Sequence, residues 1–282
     1  MNLLEAIILG IVQGLTEFLP ISSTGHLTLA GKFMNLISEE HPEQWTAFIA
    51  VIQLGTMLAV LVYFWKDLIS IIKDFINDNI IKRISYSNQQ VNSKLGWLII
   101  IGTIPVVIIG LTFKDVIEGA LTKNLYIIAA SLIVLALILA LAEKTAKFKK
   151  NIENVTILDS IIIGVAQALS LIPGSSRSGT TITAGLFVGL NREAAARFSF
   201  LLSIPAVLAS GVLQLYEAVE FLDKAMAVNI IVATIVSGIS GYLAIDFLLK
   251  FLKKNSTFLF IYYRIGLGII IFILLFNNII KP

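Results

Sequence analysis

The chain has 282 residues, 57% hydrophobic and 14% charged, with a mean hydropathy of +0.91. Water-soluble domains run nearer 25% charged, so the composition excludes an ordinary soluble domain and places the chain in a bilayer. Absence of cysteine removes disulfide frameworks and thiolate metal sites. The basic pI near 9.0 comes from lysines in short loops between apolar runs, an orientation signal rather than a nucleic-acid surface.

Residues 3–19 are apolar and helix-length, but Glu17 and Pro20 interrupt them, and residues 21–36 form a second short apolar piece. Two short helices broken at a polar turn predict a re-entrant hairpin, because irregular backbone at membrane depth survives only inside protein or beside a wet cavity. One long kinked span is the plainer alternative. The first basic residue is Lys32, so no cleaved signal peptide is expected. His41 lies among Glu39, Glu40 and Glu43, which reads as a solvated loop.

A full span is predicted over 46–65, then a surface amphipathic helix from Lys66 to Ile81 within a polar stretch ending at residue 94. Spans follow at 95–113 and 124–142, separated by a loop holding Lys114, Asp115, Glu118 and Lys123. A basic loop, 143–156, marks the middle. Beyond it the plan repeats: short apolar pieces at 157–172 and 174–190, then spans at 198–217, 226–249 and 258–280. The expected fold is therefore an all-α polytopic membrane protein forming a single domain, 1–282. Its halves, 1–142 and 157–282, are an inverted repeat, each one re-entrant helical hairpin plus three transmembrane helices. On that topology one face collects 14 Lys and Arg and the other 5, which makes the first face cytoplasmic.

The repeat is clearest in two motifs. The first runs Glu17-Phe18-Leu19-Pro20-Ile21-Ser22-Ser23-Thr24-Gly25-His26, with Gln13 one helical turn before Glu17. Its echo is Pro173-Gly174-Ser175-Ser176-Arg177-Ser178-Gly179; aligning Pro20 with Pro173 matches Ser22-Ser23 to Ser175-Ser176. Leu171 stands in place of the acid and Gly179 in place of His26. A carboxylate inside hydrocarbon is costly and functional by default; an interfacial Glu at a helix end is the plainer reading, weakened by its polar neighbours. Each hydroxyl-rich turn opens a helix, where free N–H groups and the helix dipole favour an anion. Plain capping explains one such hydroxyl better than three. His26 falls one turn beyond Ser23, so these side chains are expected to pair as nucleophile and base. Arg177 offers a planar fork suited to phosphate. A P-loop is rejected, since the lysine and the preceding strand are missing. Arg264, inside the last span, has three readings: helping the anion, pairing with Asp246, or holding a carbonyl.

These motifs resemble the undecaprenyl-diphosphate phosphatase family, the bacterial membrane enzymes associated with bacitracin resistance. The resemblance covers essentially the whole chain. It implies hydrolysis of undecaprenyl diphosphate to the monophosphate, recycling the lipid carrier for peptidoglycan and cell-wall synthesis. It also implies a site in the bacterial cytoplasmic membrane, open to the outer face, and help from a divalent cation, Mg²⁺ or Ca²⁺. The family's first motif often has Glu where this chain has Gln13, so Gln13 is assigned a supporting role. Together the two readings make Ser23 the nucleophile and His26 the proton carrier, with His26 itself as the alternative nucleophile. Glu17 orients His26 or holds the metal. Arg177 and both turns, with Ser22, Thr24, Gly25, Gly174, Ser175, Ser176 and Ser178, hold the diphosphate. The polyprenyl tail is expected to run between spans near Gly238, Gly241, Gly266 and Gly268. A transporter or flippase for an anionic lipid is the competing function, and a membrane scaffold a distant one. The oligomeric state stays open, a homodimer included.

Overall fold

The computed structural model describes residues 1–37, 42–113, 124–218 and 227–281. The predicted loops around His41, around Lys114 to Lys123 and around Lys224 lie outside the described residues. Within them the chain is helical: α1 (Leu3–Phe18), α2 (Ser23–Phe33), α3 (Pro42–Tyr63), α4 (Trp65–Ile76), α5 (Val91–Thr112) and α6 (Leu125–Thr145), followed by α7 (Ile157–Ala168), α8 (Arg177–Phe187), α9 (Arg192–Ala218), α10 (Ala227–Leu252) and α11 (Phe258–Phe276). Five segments, within α3, α5, α6, α10 and α11, are long and apolar enough to cross a membrane. The protein is an all-helical, multi-pass membrane protein. The span predicted at 198–217 falls in α9, several of whose far-end side chains lie outside the described set.

Local sequence explains where the short helices start and stop. α1 opens with a reciprocal cap, the Asn2 side chain accepting from Glu5 N–H and Glu5 from Asn2 N–H. α7 opens the same way with Thr156 and Asp159, 154 positions later. α1 stops at Phe18 because Leu19 precedes a proline and is forced extended, φ −66° and ψ 142°.

Packing in the bilayer relies on close backbone approach. α1 lies along α10 and α7 along α5. A Cβ on Gly14 would sit 1.9 Å from Ser240 Oγ, and one on Gly164 2.2 Å from the Gly102 carbonyl. A side chain at either position would push the helices apart. Gly238, Gly241 and Gly268 likewise face neighbouring helices, and Gly266 alone of the four meets nothing within 4 Å. Three of the glycines expected beside the lipid tail therefore close helix contacts. The main core joins both halves through Phe18, Phe64, Phe198 and Phe200, with Phe18 edge-on to Phe200 at 5.4 Å.

The polar end is tied by charges. Glu143, buried at the end of α6, accepts from the Arg192 guanidinium and from Thr257. Lys150 of the middle loop pairs with Asp159 at 2.8 Å, and an isolated β-bridge joins Lys150 to Leu190. The surface helix forms as α4, followed by a π turn over Asn77–Ile81. Ile69, Ile72 and Ile76 of α4, with Ile80 and Ile81 of the turn, stay exposed. Asp78 is fully buried and accepts the Gln90 N–H at 2.8 Å. That backbone bond leads the effects holding its carboxyl below the usual range; burial opposes it, and Gln90's amide, Lys82 and Asn77 assist.

Candidate active site

Both helix breaks end in the same local device. Ser22 has φ 75° and its Oγ accepts from Gly25 N–H at 3.3 Å. Ser176 has φ 67° and its Oγ accepts from Gly179 N–H at 3.2 Å. A non-glycine residue in the left-handed region costs on the order of 1–3 kcal/mol and persists only where its surroundings enforce it. Here the N-cap bond and the neighbouring helices do so.

This geometry corrects the alignment of the motifs. Structurally Ser22 matches Ser176, Ser23 matches Arg177, Thr24 matches Ser178 and Gly25 matches Gly179. Thr180, not Gly179, therefore occupies the place of His26. The second break holds one extra residue after its proline: Gly174, at φ 83°, makes a turn that packs on the Ile128 backbone of α6.

The breaks meet at Glu17. Its Oε1 accepts from Arg177 Nη2 at 2.7 Å, across 160 positions of sequence. Its Oε2 accepts from Ser23 Oγ at 2.8 Å and from Gln13 Nε2 at 3.1 Å. The Glu17 and Arg177 side chains are 8% and 16% exposed, so this is a mostly desolvated ion pair at the end of a crevice. Arg177 Nη1 reaches the Ser203 carbonyl at 3.5 Å. A second link joins the breaks, Ser178 Oγ donating to the Leu19 carbonyl at 3.1 Å.

His26 is placed differently from expectation. Its Nδ1 lies 2.6 Å from the Ser22 carbonyl and its Nε2 2.7 Å from the Tyr263 hydroxyl. Ser23 bonds to Glu17 instead of His26, and Glu17 does not orient the imidazole. The cause is the helix start: α2 begins at Ser23, so the His26 side chain folds back one turn onto the Ser22 carbonyl.

Several expected phosphate-binding hydroxyls are committed elsewhere. Ser22 and Ser176 cap their own helices, Ser175 Oγ donates to the Ile172 carbonyl at 2.6 Å, and Ser178 holds Leu19. Their contribution is to shape the turns. Thr24 is exposed, and the first-turn amides of α2 and α8 remain the natural anion donors. Arg264 is fully buried and its Nη2 donates to the Ser175 carbonyl at 2.9 Å. Asp246 instead accepts from Lys250 and Tyr63. Of Arg264's three readings, the structure thus forms the carbonyl one.

Two neighbours escaped sequence reasoning. Thr56 Oγ1 lies 3.5 Å from Gln13 Nε2, and a threonine within an apolar span gives no signal of that. Tyr263 had none beyond standing next to Arg264.

The crevice beside the ion pair is lined by Glu17, Thr56, Met57, Arg177, Ser203 and Val207 and is narrow, with no room for a water molecule. A cavity with about 420 Å³ of space for water lies elsewhere, between α4, α5, the middle loop and α9, and is lined by none of the motif residues. The chemistry points to the small crevice, since there the acid of the first break meets the guanidinium of the second, with the Ser23 hydroxyl on the same carboxylate.

For a divalent cation, the described residues hold no cluster of three or more His, Asp or Glu. They do hold Glu17 beside the buried Gln13 Oε1, which has no hydrogen-bond partner. These two oxygens fit Mg²⁺, which commonly uses one or two protein ligands plus substrate oxygens.

Comparison with known proteins gives the family. The family described as "Bacitracin resistance protein BacA" matches residues 6–270. The undecaprenyl-diphosphatase of Syntrophobacter fumaroxidans is 56% identical over 268 residues, covering 95% of each chain. That of Chlorobaculum parvum is 49% identical over 291 residues, covering 100% of both. A third, from Chloroherpeton thalassium, is 50% identical over 287 residues, covering 98% of this chain and 97% of its own. This chain belongs to the bacitracin-resistance BacA family.

Proposed function

We propose that this chain is a membrane phosphatase that hydrolyses undecaprenyl diphosphate to undecaprenyl phosphate and orthophosphate. The observation that carries the reading is Glu17, one carboxylate shared by a serine hydroxyl and an arginine from the opposite break. A carrier needs a charged site but no base seated on a nucleophile, so this pairing favours hydrolysis over transport.

The mechanism follows from the contacts. Diphosphate oxygens compete with Glu17 for the Arg177 guanidinium and take up the first-turn amides of α2 and α8. Ser23 Oγ attacks the terminal phosphorus as its proton passes to Glu17 Oε2. The bond from that phosphorus to the bridging oxygen breaks, and undecaprenyl phosphate leaves. Water then attacks the phosphoserine, the proton held by Glu17 returns to Ser23 Oγ as its bond to phosphorus breaks, and the water's protons leave with the orthophosphate. His26, one turn into α2, supplies a proton to the leaving group when its Nε2 is protonated and regains one from solvent. Gln13 Oε1 and Glu17 would hold the cation, which adds positive charge against the phosphate oxygens.

The same reading includes the inverted repeat, with halves 1–142 and 157–282. Element pairing supports it: α1 packs on α10 as α7 packs on α5, and α3 on α10 as α9 on α5. The bias of 14 against 5 basic residues supports a cytoplasmic middle loop, 143–156, and a crevice reached from the outer face of the bacterial inner membrane. One chain supplies every site group, so a homodimer would add membrane contact and no catalytic residue.

Orthophosphate release from undecaprenyl diphosphate in detergent tests the proposal, comparing wild type with Ser23→Ala, His26→Ala and Arg177→Ala. A phosphatase releases phosphate without a second compartment and loses it in the variants. Near-normal release by all three would reject the site.

A further inference from the structure

α11 touches both breaks through two consecutive residues. Neighbours on a helix point about 100° apart, so one helix can reach two separate turns this way. Arg264 holds the second break by the Ser175 carbonyl, and its Nη1 lies 2.6 Å from where a Cβ on Gly179 would stand. Tyr263 reaches the first break, its hydroxyl 2.7 Å from His26 Nε2. The two rings lie within 8° of parallel, with centroids 5.5 Å apart.

We propose that Tyr263 is a positioning residue that fixes the plane of the His26 ring, whose tautomer the Ser22 carbonyl sets, for its proton transfer to the leaving phosphate. The Ser22 carbonyl can only accept, so His26 Nδ1 carries the hydrogen. In neutral imidazole the lone pair is then on Nε2, and the Tyr263 hydroxyl donates to it. When Nε2 is protonated the phenol oxygen accepts instead, so the same hydroxyl holds the ring in both states. Tyr263 is half-exposed, 47%, and one neutral hydrogen bond there is a small part of the fold's stability. What it constrains is the imidazole.

The proposal deepens the phosphatase reading and depends on it for the kinetic readout alone. The chain has only two histidines, His26 and His41, so ¹⁵N-histidine labelling of a His41→Gln protein isolates His26. The expected spectrum shows hydrogen on Nδ1 and a lone pair on Nε2, and Tyr263→Phe keeps the hydrogen on Nδ1 while shifting the Nε2 signal to that of a nitrogen without a hydrogen bond. In phosphate release, Tyr263→Phe lowers kcat about five- to tenfold, with KM changed less than about twofold. In a His26→Ala background the same substitution has no further effect. An unchanged His26 spectrum in Tyr263→Phe, or an undiminished loss without His26, overturns the proposal. If wild type releases no phosphate, the phosphatase reading fails, and the histidine spectrum still decides the clamp.

Discussion

Glu17→Gln removes the one charge on which the site converges and changes almost nothing else in volume. The amide can still meet Ser23 and Gln13, but it cannot take the serine proton, and Arg177 loses its counter-ion. Positioned proton transfer contributes about 10²–10⁴-fold, so kcat for orthophosphate release should fall at least about a hundredfold. Stability falls as well. Leaving one member of a buried pair uncompensated costs about 3–5 kcal/mol, and the 16% exposure of Arg177 with its hold on the Ser203 carbonyl favours the lower end. A second variant separates folding from chemistry. Glu17→Gln combined with Arg177→Met removes the orphaned charge, so the melting temperature recovers while activity stays lost. The assay is orthophosphate release in detergent beside a thermal melt of each protein. A kcat within about tenfold of wild type for Glu17→Gln would refute the reasoning, because the shared carboxylate would then be no base.

Other consequences can be read directly. Gly14→Ala places a Cβ against Ser240 Oγ and the Ser237 carbonyl and should destabilise by about 1–3 kcal/mol. Gly110→Ala, which meets nothing within 4 Å, should be neutral or stabilise by up to about 1 kcal/mol; equal melting temperatures would contradict the helix contacts. Asp78 has its folded pKa depressed, so its stabilisation is present above the unfolded value near about 3.9 and is lost as pH falls further through the folded value. The melting-temperature gap between wild type and Asp78→Asn should therefore be full at pH 7 and shrink on acidification below about pH 4; a pH-independent gap would deny the buried charge. Chelation of divalent cations should abolish phosphate release and Mg²⁺ restore it; activity that survives chelation would remove the cation from the site at Gln13 and Glu17.

The helix ends were legible because they are written in local chemistry. Asn2 with Glu5, Thr156 with Asp159, and Pro20 after Leu19 each act within a few residues. The meeting of Glu17 with Arg177 was legible for an electrostatic reason: opposite charges stranded in apolar segments need each other. Aligning the prolines shifts the repeat register by one residue, because Pro173 stands one place earlier in its break than Pro20 does, whereas the common feature is a left-handed serine cap, invisible in residue type. Ser23 was assigned to His26 on helical spacing alone. The actual partner, Glu17, lies on the other side of the break, where spacing has no meaning. Tyr263 is 237 positions from His26, and an aromatic residue in an apolar span looks like any lipid-facing side chain.

The account stands on the two breaks sharing one carboxylate, which a cross-link tests most directly. The natural chain has no cysteine, so Ser23→Cys with Arg177→Cys leaves only two thiols, each on a residue that bonds Glu17. A protease site placed in the 143–156 loop then lets the halves separate on a denaturing gel. Treatment with a short bifunctional thiol reagent before cleavage should keep the halves joined, with either single-cysteine protein as the separating control. Halves that separate after treatment would contradict the account.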